Sequence, residues 1–179
     1  EPILFIDSVH PTMATKISHG WIKKGQDKLI ATTASRTRVN LVGAIELKDM
    51  NLVTQSFDTI NGDNIVAFLK QVRTAYPNAP FIHLILDQSG YHRSKEVVAF
   101  AEHNGFKLHF LPPYSPNLNS IERLWKVMNE HVRNNKFFTS AKEFRESISN
   151  FFNVVFPKIS ESLMSRINDN FQKTKPSSS

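Results

Sequence analysis

The sequence predicts an α/β fold: an antiparallel block of three strands first, then parallel strands separated by amphipathic helices that cover both faces of the sheet. Three observations lead there. Ile3-Leu4-Phe5-Ile6 and Phe81-Ile82-His83-Leu84-Ile85-Leu86 are short, nearly continuous apolar runs of the kind that form buried strands. Two strand-like segments between them are separated only by Lys48-Asp49-Met50, which makes them an antiparallel pair. After Asn61-Gly62-Asp63 the apolar spacing changes to that of a helix, and helices then alternate with strands.

In order, the first strand is Ile3 to Ile6, delivering Asp7 at its C-terminal end. Trp21 to Thr33 reads as a loop or small hairpin around Gly25. Arg38 to Leu47 and Asn51 to Ile60 are the second and third strands. Ile65, Leu69, Val72 and Tyr76 then form one apolar stripe on a helix that Pro77 closes. The strand from Phe81 ends at Asp87, and a helix follows with Ser94 as N-cap and Asn104-Gly105 as stop. Lys107 to Leu111 is the fifth strand. Pro112-Pro113-Tyr114-Ser115-Pro116 is a rigid loop feeding a helix that begins near Ser120. A last helix starts near Ser140, carries Phe144, Ile148, Phe151 and Val155, and ends before Pro157. The division expected is a domain over 1–160 and a C-terminal segment with a polar, frayed tail over 161–179.

The chain has 179 residues, enough for one domain with a full core, and 22 Lys and Arg against 16 Asp and Glu give a net charge of +6. That balance suits a polyanionic partner but decides neither fold nor reaction. With no cysteine there is no disulfide framework, thiolate zinc site or cysteine nucleophile, so any metal is held by oxygen or imidazole. No apolar run is long enough to span a membrane, and Glu1-Pro2-Ile3-Leu4 lacks the layout of a signal peptide. A reducing, cytoplasmic setting is expected. The absence of an initiating Met suggests a domain cut from something longer.

Asp7, Asp87 and Glu122 stand out by position. Each has a plain structural alternative: an Asp at a strand end caps backbone amides, and Asn119-Ser120-Ile121-Glu122 fits a capping box with Glu122 and Lys126 as an i, i+4 pair. If the first and fourth strands are neighbours, however, both aspartates leave the same edge of the sheet, and the helix after the proline loop can bring Glu122 opposite them. Three converging carboxylates repel one another unless divalent cations are bound. Hard oxygen ligands favour Mg²⁺ or Mn²⁺. Two such ions can drive an in-line phosphoryl displacement, a chemistry that suits a basic protein with a DNA substrate.

The stretch from Leu111 to Trp125, LPPYSPNLNSIERLW, closely resembles the signature around the catalytic glutamate of DDE transposases of the Tc/mariner superfamily. The 34 residues between Asp87 and Glu122 are a spacing used there. Phe5 to Pro11, Gly20 to Gly25 and Leu86 to Ser94 look most like its bacterial insertion-sequence branch (insertion-sequence-630-like). The resemblance runs from about Ile3 to about Val155. It implies a ribonuclease H-like fold, with Asp7, Asp87 and Glu122 as the metal ligands for Mg²⁺ or Mn²⁺, two ions. It also implies cut-and-paste transposition: hydrolysis at transposon ends, then attack of the freed 3′-hydroxyl on target DNA. A homodimer and a nucleoid-associated location in a bacterial cytoplasm follow by the same resemblance, as does the expectation that N-terminal helix-turn-helix modules are absent from this chain. Gln88 stands where many relatives have Asn, and Ser120 where many have Pro; neither removes a carboxylate.

His92 is a candidate for contact with a phosphate or the attacking water, or else a packed histidine. Arg123, Lys126 and Arg133 are candidates for the DNA backbone or for a solvated basic face, as are Lys23, Lys24, Arg36 and Arg38. Tyr114 either stacks on a base or pins its loop. Rival readings are another ribonuclease H-like nuclease and a domesticated DNA-binding or assembly module without catalysis.

Overall fold

In a computed structural model, residues 1–15, 23–25 and 36–171 are described, and most of the loop expected over Trp21 to Thr33 and the polar tail lie outside them. Five strands form one mixed sheet: β1 (Ile3–Val9), β2 (Asn40–Glu46), β3 (Asn51–Phe57), β4 (Ile82–Leu86) and β5 (Phe106–Phe110), in the spatial order β3-β2-β1-β4-β5. β1, β2 and β3 pair antiparallel, whereas β4 lies parallel to β1 and β5 parallel to β4. The predicted antiparallel block and parallel extension are therefore both present.

Side chains alternate across β1 and divide the core in two. Leu4 and Ile6 pack with Val42, Leu84 and Leu86 against α1 (Gly62–Ala75) and α2 (Lys95–His103). Phe5 packs with Leu41 and Ile45 on the opposite face, against α3 (Ile121–Val132) and α4 (Ala141–Asn150). Each fully buried side chain of this size contributes about 1.5–3 kcal/mol, so both faces need a helical cover. The helices start where local chemistry allows: Asn61 accepts a hydrogen bond from the Asn64 amide, and Ser140 accepts one from the Glu143 amide. Gly105, at φ +73°, closes α2, and a Cβ added there would stand 2.7 Å from the Pro80 carbonyl oxygen.

Four expectations need correction. β1 does not stop at Ile6 but runs on to Val9, because β2 still pairs with it there after β4 has ended. Ser94 does begin α2, but its hydroxyl makes no capping bond. The last helix does not end before Pro157: α4 widens into a π-turn over Phe151–Val155 and resumes as α5 (Phe156–Ile159), with Pro157 in its first turn. A proline lacks an amide proton and crowds the preceding turn, and the widened turn accommodates it. The ordered fold also passes the boundary expected at residue 160, since Leu163 and Ile167 are buried in the α3/α4 core and Arg166 pairs with Glu130 at 2.7 Å.

Candidate active site

Strand register brings the two aspartates together. Ile3, Leu4 and Phe5 of β1 lie beside His83, Leu84 and Ile85 of β4, and the same offset continued two residues further sets Asp7 beside Asp87. Asp7 shares the parity of Phe5 and so faces α3, whose first turn carries Glu122. Asp7, Asp87 and Glu122 line one cleft of about 310 Å³, walled by Leu111 to Pro116 of the proline loop. No capping box forms at the start of α3. The Asn119 side chain instead donates to the Ile6 carbonyl at 3.1 Å, and this tie leaves Glu122 turned to the cleft.

The two aspartates are held very differently. Asp7 is buried, and burial, with repulsion from Glu122 and Asp87 added, pushes its pKa up to about 7. The Trp125 indole N–H faces it and opposes this weakly, but no hydrogen bond of full geometry closes. Asp87 is half exposed and fully tied: one oxygen accepts from the His92 Nδ1 at 2.7 Å and the Ser89 amide at 3.0 Å, the other from the Ser89 hydroxyl at 2.7 Å. The His92 bond, with Ser89 behind it, holds this carboxyl well below the usual range. Gln88 donates to the Leu111 carbonyl at 2.9 Å and so couples the Asp87 turn to the proline loop.

His92 is completely buried, which fits the packed-histidine alternative and not contact with a phosphate or the attacking water. It acts on Asp87, and its ring is met edge-on by Tyr91, whose hydroxyl hydrogen-bonds the Ser8 hydroxyl at 2.7 Å. A chain of contacts thus runs from Asp87 through His92 and Tyr91 to the residue next to Asp7. The sequence shows this tyrosine only as a neighbour of His92, and its contact with β1 spans 83 positions.

Two of the basic candidates are also used internally. The Arg123 guanidinium is bound by the Asn168 carbonyl and side chain and the Asn170 carbonyl, and lies over the Phe171 ring. Ser120 donates to the same Asn168 carbonyl at 2.8 Å. Arg133 is half-buried and donates to the Thr12 carbonyl and hydroxyl and to Asn129, so it ties the end of α3 to the chain leaving β1. Neither guanidinium is turned out for a backbone phosphate. Lys126 is exposed on α3, and Tyr114 is fully exposed at the cleft rim with φ 57°.

A cation would meet only oxygen in this cleft: three carboxylates and the Asn119 side-chain oxygen, which is buried without a partner. That donor set fits a hard divalent ion.

Residues 2–145 match the family model described as DDE superfamily endonuclease. The chain belongs to this family. The DDE domain is 26% identical over 157 residues to an insertion element IS630 uncharacterized 39 kDa protein of Shigella sonnei, covering 87% of this chain and 46% of that protein. It is 38% identical over 55 residues to the uncharacterized protein y4pE/y4sA of Sinorhizobium fredii, covering 31% of this chain and 38% of that protein. The DDE domain thus spans less than half the length of the Shigella sonnei relative, and the matched stretch covers less than half of the Sinorhizobium fredii protein. Its fold is that of the ribonuclease H-like transposase and integrase cores. The Mos1 strand transfer complex matches with a TM-score of 0.65 at 14% identity, over 97% of this chain and 56% of that one. The Mos1 transposase catalytic domain, solved with raltegravir and Mn, matches at 0.62 and 12% identity, over 97% of this chain and 85% of that one.

Proposed function

We propose that this chain is the catalytic domain of a cut-and-paste DNA transposase. It hydrolyses phosphodiester bonds at transposon ends and joins the freed 3′-hydroxyl to target DNA. The observation that carries this reading is the convergence of Asp7, Asp87 and Glu122 on one open cleft at the sheet end of a DDE-family fold. These three carboxylates are the metal ligands, for Mg²⁺ or Mn²⁺ and for two ions. When bound, the ions supply charge stabilisation to the entering and leaving oxygens of an in-line displacement.

The chain's own residues supply position. His92 and Ser89 hold both oxygens of Asp87, so this carboxylate keeps its orientation when a charged substrate arrives. Asn119 locks the start of α3 to β1, and that tie sets the approach of Glu122 to Asp7. The proline loop, too stiff to collapse, walls one side of the cleft where the scissile phosphate enters. Tyr114 and Lys126, with the exposed Lys23, Lys24, Arg36 and Arg38, are the sequence candidates left to meet DNA. A homodimer pairs two transposon ends, and the protein works in the bacterial cytoplasm on nucleoid DNA.

The test is strand transfer with a pre-cleaved transposon end in Mg²⁺ or Mn²⁺. The wild type joins the 3′-hydroxyl to target DNA, while Asp7→Ala, Asp87→Ala and Glu122→Ala each fold and fail to join. Undiminished joining by any of the three overturns the assignment of that carboxylate. Degradation of RNA–DNA hybrid without joining assigns a hybrid nuclease instead, and salt-sensitive DNA binding with no metal-dependent chemistry assigns a binding module.

A further inference from the structure

We propose that Tyr91 is a positioning residue of the carboxylate site: its hydroxyl, bonded to Ser8, fixes the separation of Asp7 and Asp87 and so makes the site prefer Mg²⁺ to the larger Ca²⁺. This inference rests on the reading of these carboxylates as metal ligands given above.

The need for such a strap follows from the way the sheet opens at the cleft. β1 and β4 are paired only as far as Phe5 and Ile85. Beyond that point β1 runs on to Val9 along β2, whereas the chain after Leu86 leaves the sheet. The Ile6 carbonyl, which lies where the β1/β4 ladder ends, accepts instead from the Asn119 side chain at 3.1 Å. Asp7 is therefore carried by β1 and β2, and Asp87 by a turn whose bonds are mostly its own: the Ser89 carbonyl accepts from the His92 and Arg93 amides at 3.0 and 3.2 Å. Gln88 ties this turn to Leu111, but that bond lies on the β5 side, away from Asp7. Among the described residues a single hydrogen bond joins Asp7, Ser8 or Val9 to residues 87–93, the 2.7 Å bond between the Ser8 and Tyr91 hydroxyls.

The strap is placed where it cannot obstruct the site. Ser8 shares the parity of Leu4 and Ile6, so it points to the α1/α2 face, and Tyr91 packs against the core there. Asp7 points to the other face, which leaves the cleft clear for an ion. The imidazole between strap and carboxylate supplies a second observation. His92 meets Asp87 through Nδ1 at 2.7 Å, while its Nε2 is buried without a partner. The ring is thus oriented by one hydrogen bond only, and the edge-on contact with Tyr91, 4.7 Å between centroids, adds the lateral restraint that a second bond would give. Holding the Tyr91 hydroxyl therefore fixes the turn to β1 and steadies the histidine that orients Asp87. Mg²⁺ demands near-ideal octahedral geometry at about 2.0–2.1 Å, whereas Ca²⁺ accepts six to eight oxygens at about 2.3–2.6 Å in looser arrangements. A fixed carboxylate spacing serves the first ion much more than the second.

The test is calorimetric titration of the metal-free protein with Mg²⁺ and with Ca²⁺, without DNA or turnover. Tyr91→Phe keeps the ring against His92 and removes only the hydroxyl. It weakens Mg²⁺ about tenfold and Ca²⁺ no more than about twofold. Ser8→Ala gives the same change, the double variant adds nothing further, and Ser8→Thr, which keeps a hydroxyl, retains the preference that Ser8→Ala loses. Tyr76→Phe is the control: it removes a tyrosine hydroxyl bond to Glu46 at 3.0 Å beside the same core, away from the cleft, and leaves the ratio of the two affinities unchanged. Should Tyr91→Phe fail to fold, Ser8→Ala carries the same test. Unaltered affinities in both variants overturn the strap alone, and so does equal weakening of the two ions. Wild-type Mg²⁺ binding that survives Asp7→Asn and Asp87→Asn overturns the metal-ligand reading and the strap with it.

Discussion

Gly43→Ala is expected to damage the active site without touching any carboxylate. Gly43 sits opposite Asp7 in the central strand β2, and α3 crosses directly above it. An alanine Cβ would stand 2.6 Å from the Trp125 Cη2 and 3.2 Å from the Ile121 Cδ1. Carbon atoms prefer about 3.5–4.0 Å, so the nearer contact is short by about 1 Å. Trp125 has no room to retreat, since it is buried and meets Phe152 edge-on at 6.3 Å. The start of α3 must lift, and Glu122, which follows Ile121 in the same turn, lifts with it. Overpacking of this kind costs about 1–3 kcal/mol, which for a chain of this size lowers Tm by roughly 2–12 °C. Displacing a catalytic group by about 1 Å costs about 100-fold in rate. Thermal melts and metal-dependent strand transfer measure the two effects. Trp125→Phe, which removes the clashing atom, should restore part of both in the Gly43→Ala background, the non-additive outcome expected of touching residues. Tm within about 1 °C and a rate within about twofold of wild type, or strictly additive losses in the double variant, would refute the reasoning.

Three further outcomes follow from the site. Because the Asp7 pKa is raised to about 7 from 3.8, the fold prefers this carboxyl protonated, and its charge burdens the metal-free protein increasingly as pH rises from about 4 to 7. Asp7→Asn therefore raises Tm in chelator at pH 8 by several degrees but not at pH 4, and it abolishes the stabilisation that Mn²⁺ gives the wild type, as read by calorimetry. His92→Ala removes the donor that depresses the Asp87 pKa and should weaken metal binding or strand transfer about 10–100-fold, with partial recovery in His92→Asn, which keeps an N–H donor. A depressed carboxyl contributes stability at neutral pH that is lost on acidification, so the Tm gap between wild type and His92→Ala narrows below the ordinary carboxylate pKa of 3.8. Arg133→Ala breaks the tie to Thr12 and lowers Tm by several degrees, while the salt slope of DNA binding stays at its wild-type value.

Local pattern made the elements readable, and distance in sequence hid the rest. The apolar runs before Asp7 and Asp87 announce buried strands, and the helix stripe of Ile65, Leu69 and Val72 is buried as its spacing requires. The positions of the three carboxylates were legible because each follows a local signal: a strand, a strand, and a proline loop feeding a helix. The partners of Arg123 and Arg133 were not, because their carbonyls lie 45 and 121 positions away, and an arginine shows the same charge whether it faces solvent or a backbone. Leu163 and Ile167 keep an i, i+4 spacing with Ile159 and Phe171, all in or against the same core, but the many polar residues between them let the segment read as part of the tail. Gly43 gives no local sign at all, since the side chain that excludes a Cβ comes from a helix 82 positions later.

Placement of Asp7 within β1, instead of at its end, has a consequence for how the site is specified. Strand parity puts Leu4 and Ile6 under α1 and α2, and Phe5 and Asp7 under α3 and α4. A slip of one residue in β1 would carry the carboxylate to the apolar α1/α2 face, away from Glu122, and turn Ile6 into the cleft. Such a register is therefore penalised twice, by a buried charge without partners and by lost apolar packing. The same alternation that sorts the core thus also fixes which helix supplies the third carboxylate. β4 can stop at Leu86 because Asp87 needs the opposite property, a turn with free amides and hydroxyls to tie both its oxygens. One aspartate is held by the sheet and left short of hydrogen bonds, the other is held by hydrogen bonds beyond the sheet. On the proposed reading Asp87, already charged and oriented, and Asp7, which would release its proton, would hold a divalent cation, so metal affinity should rise with pH up to about 7.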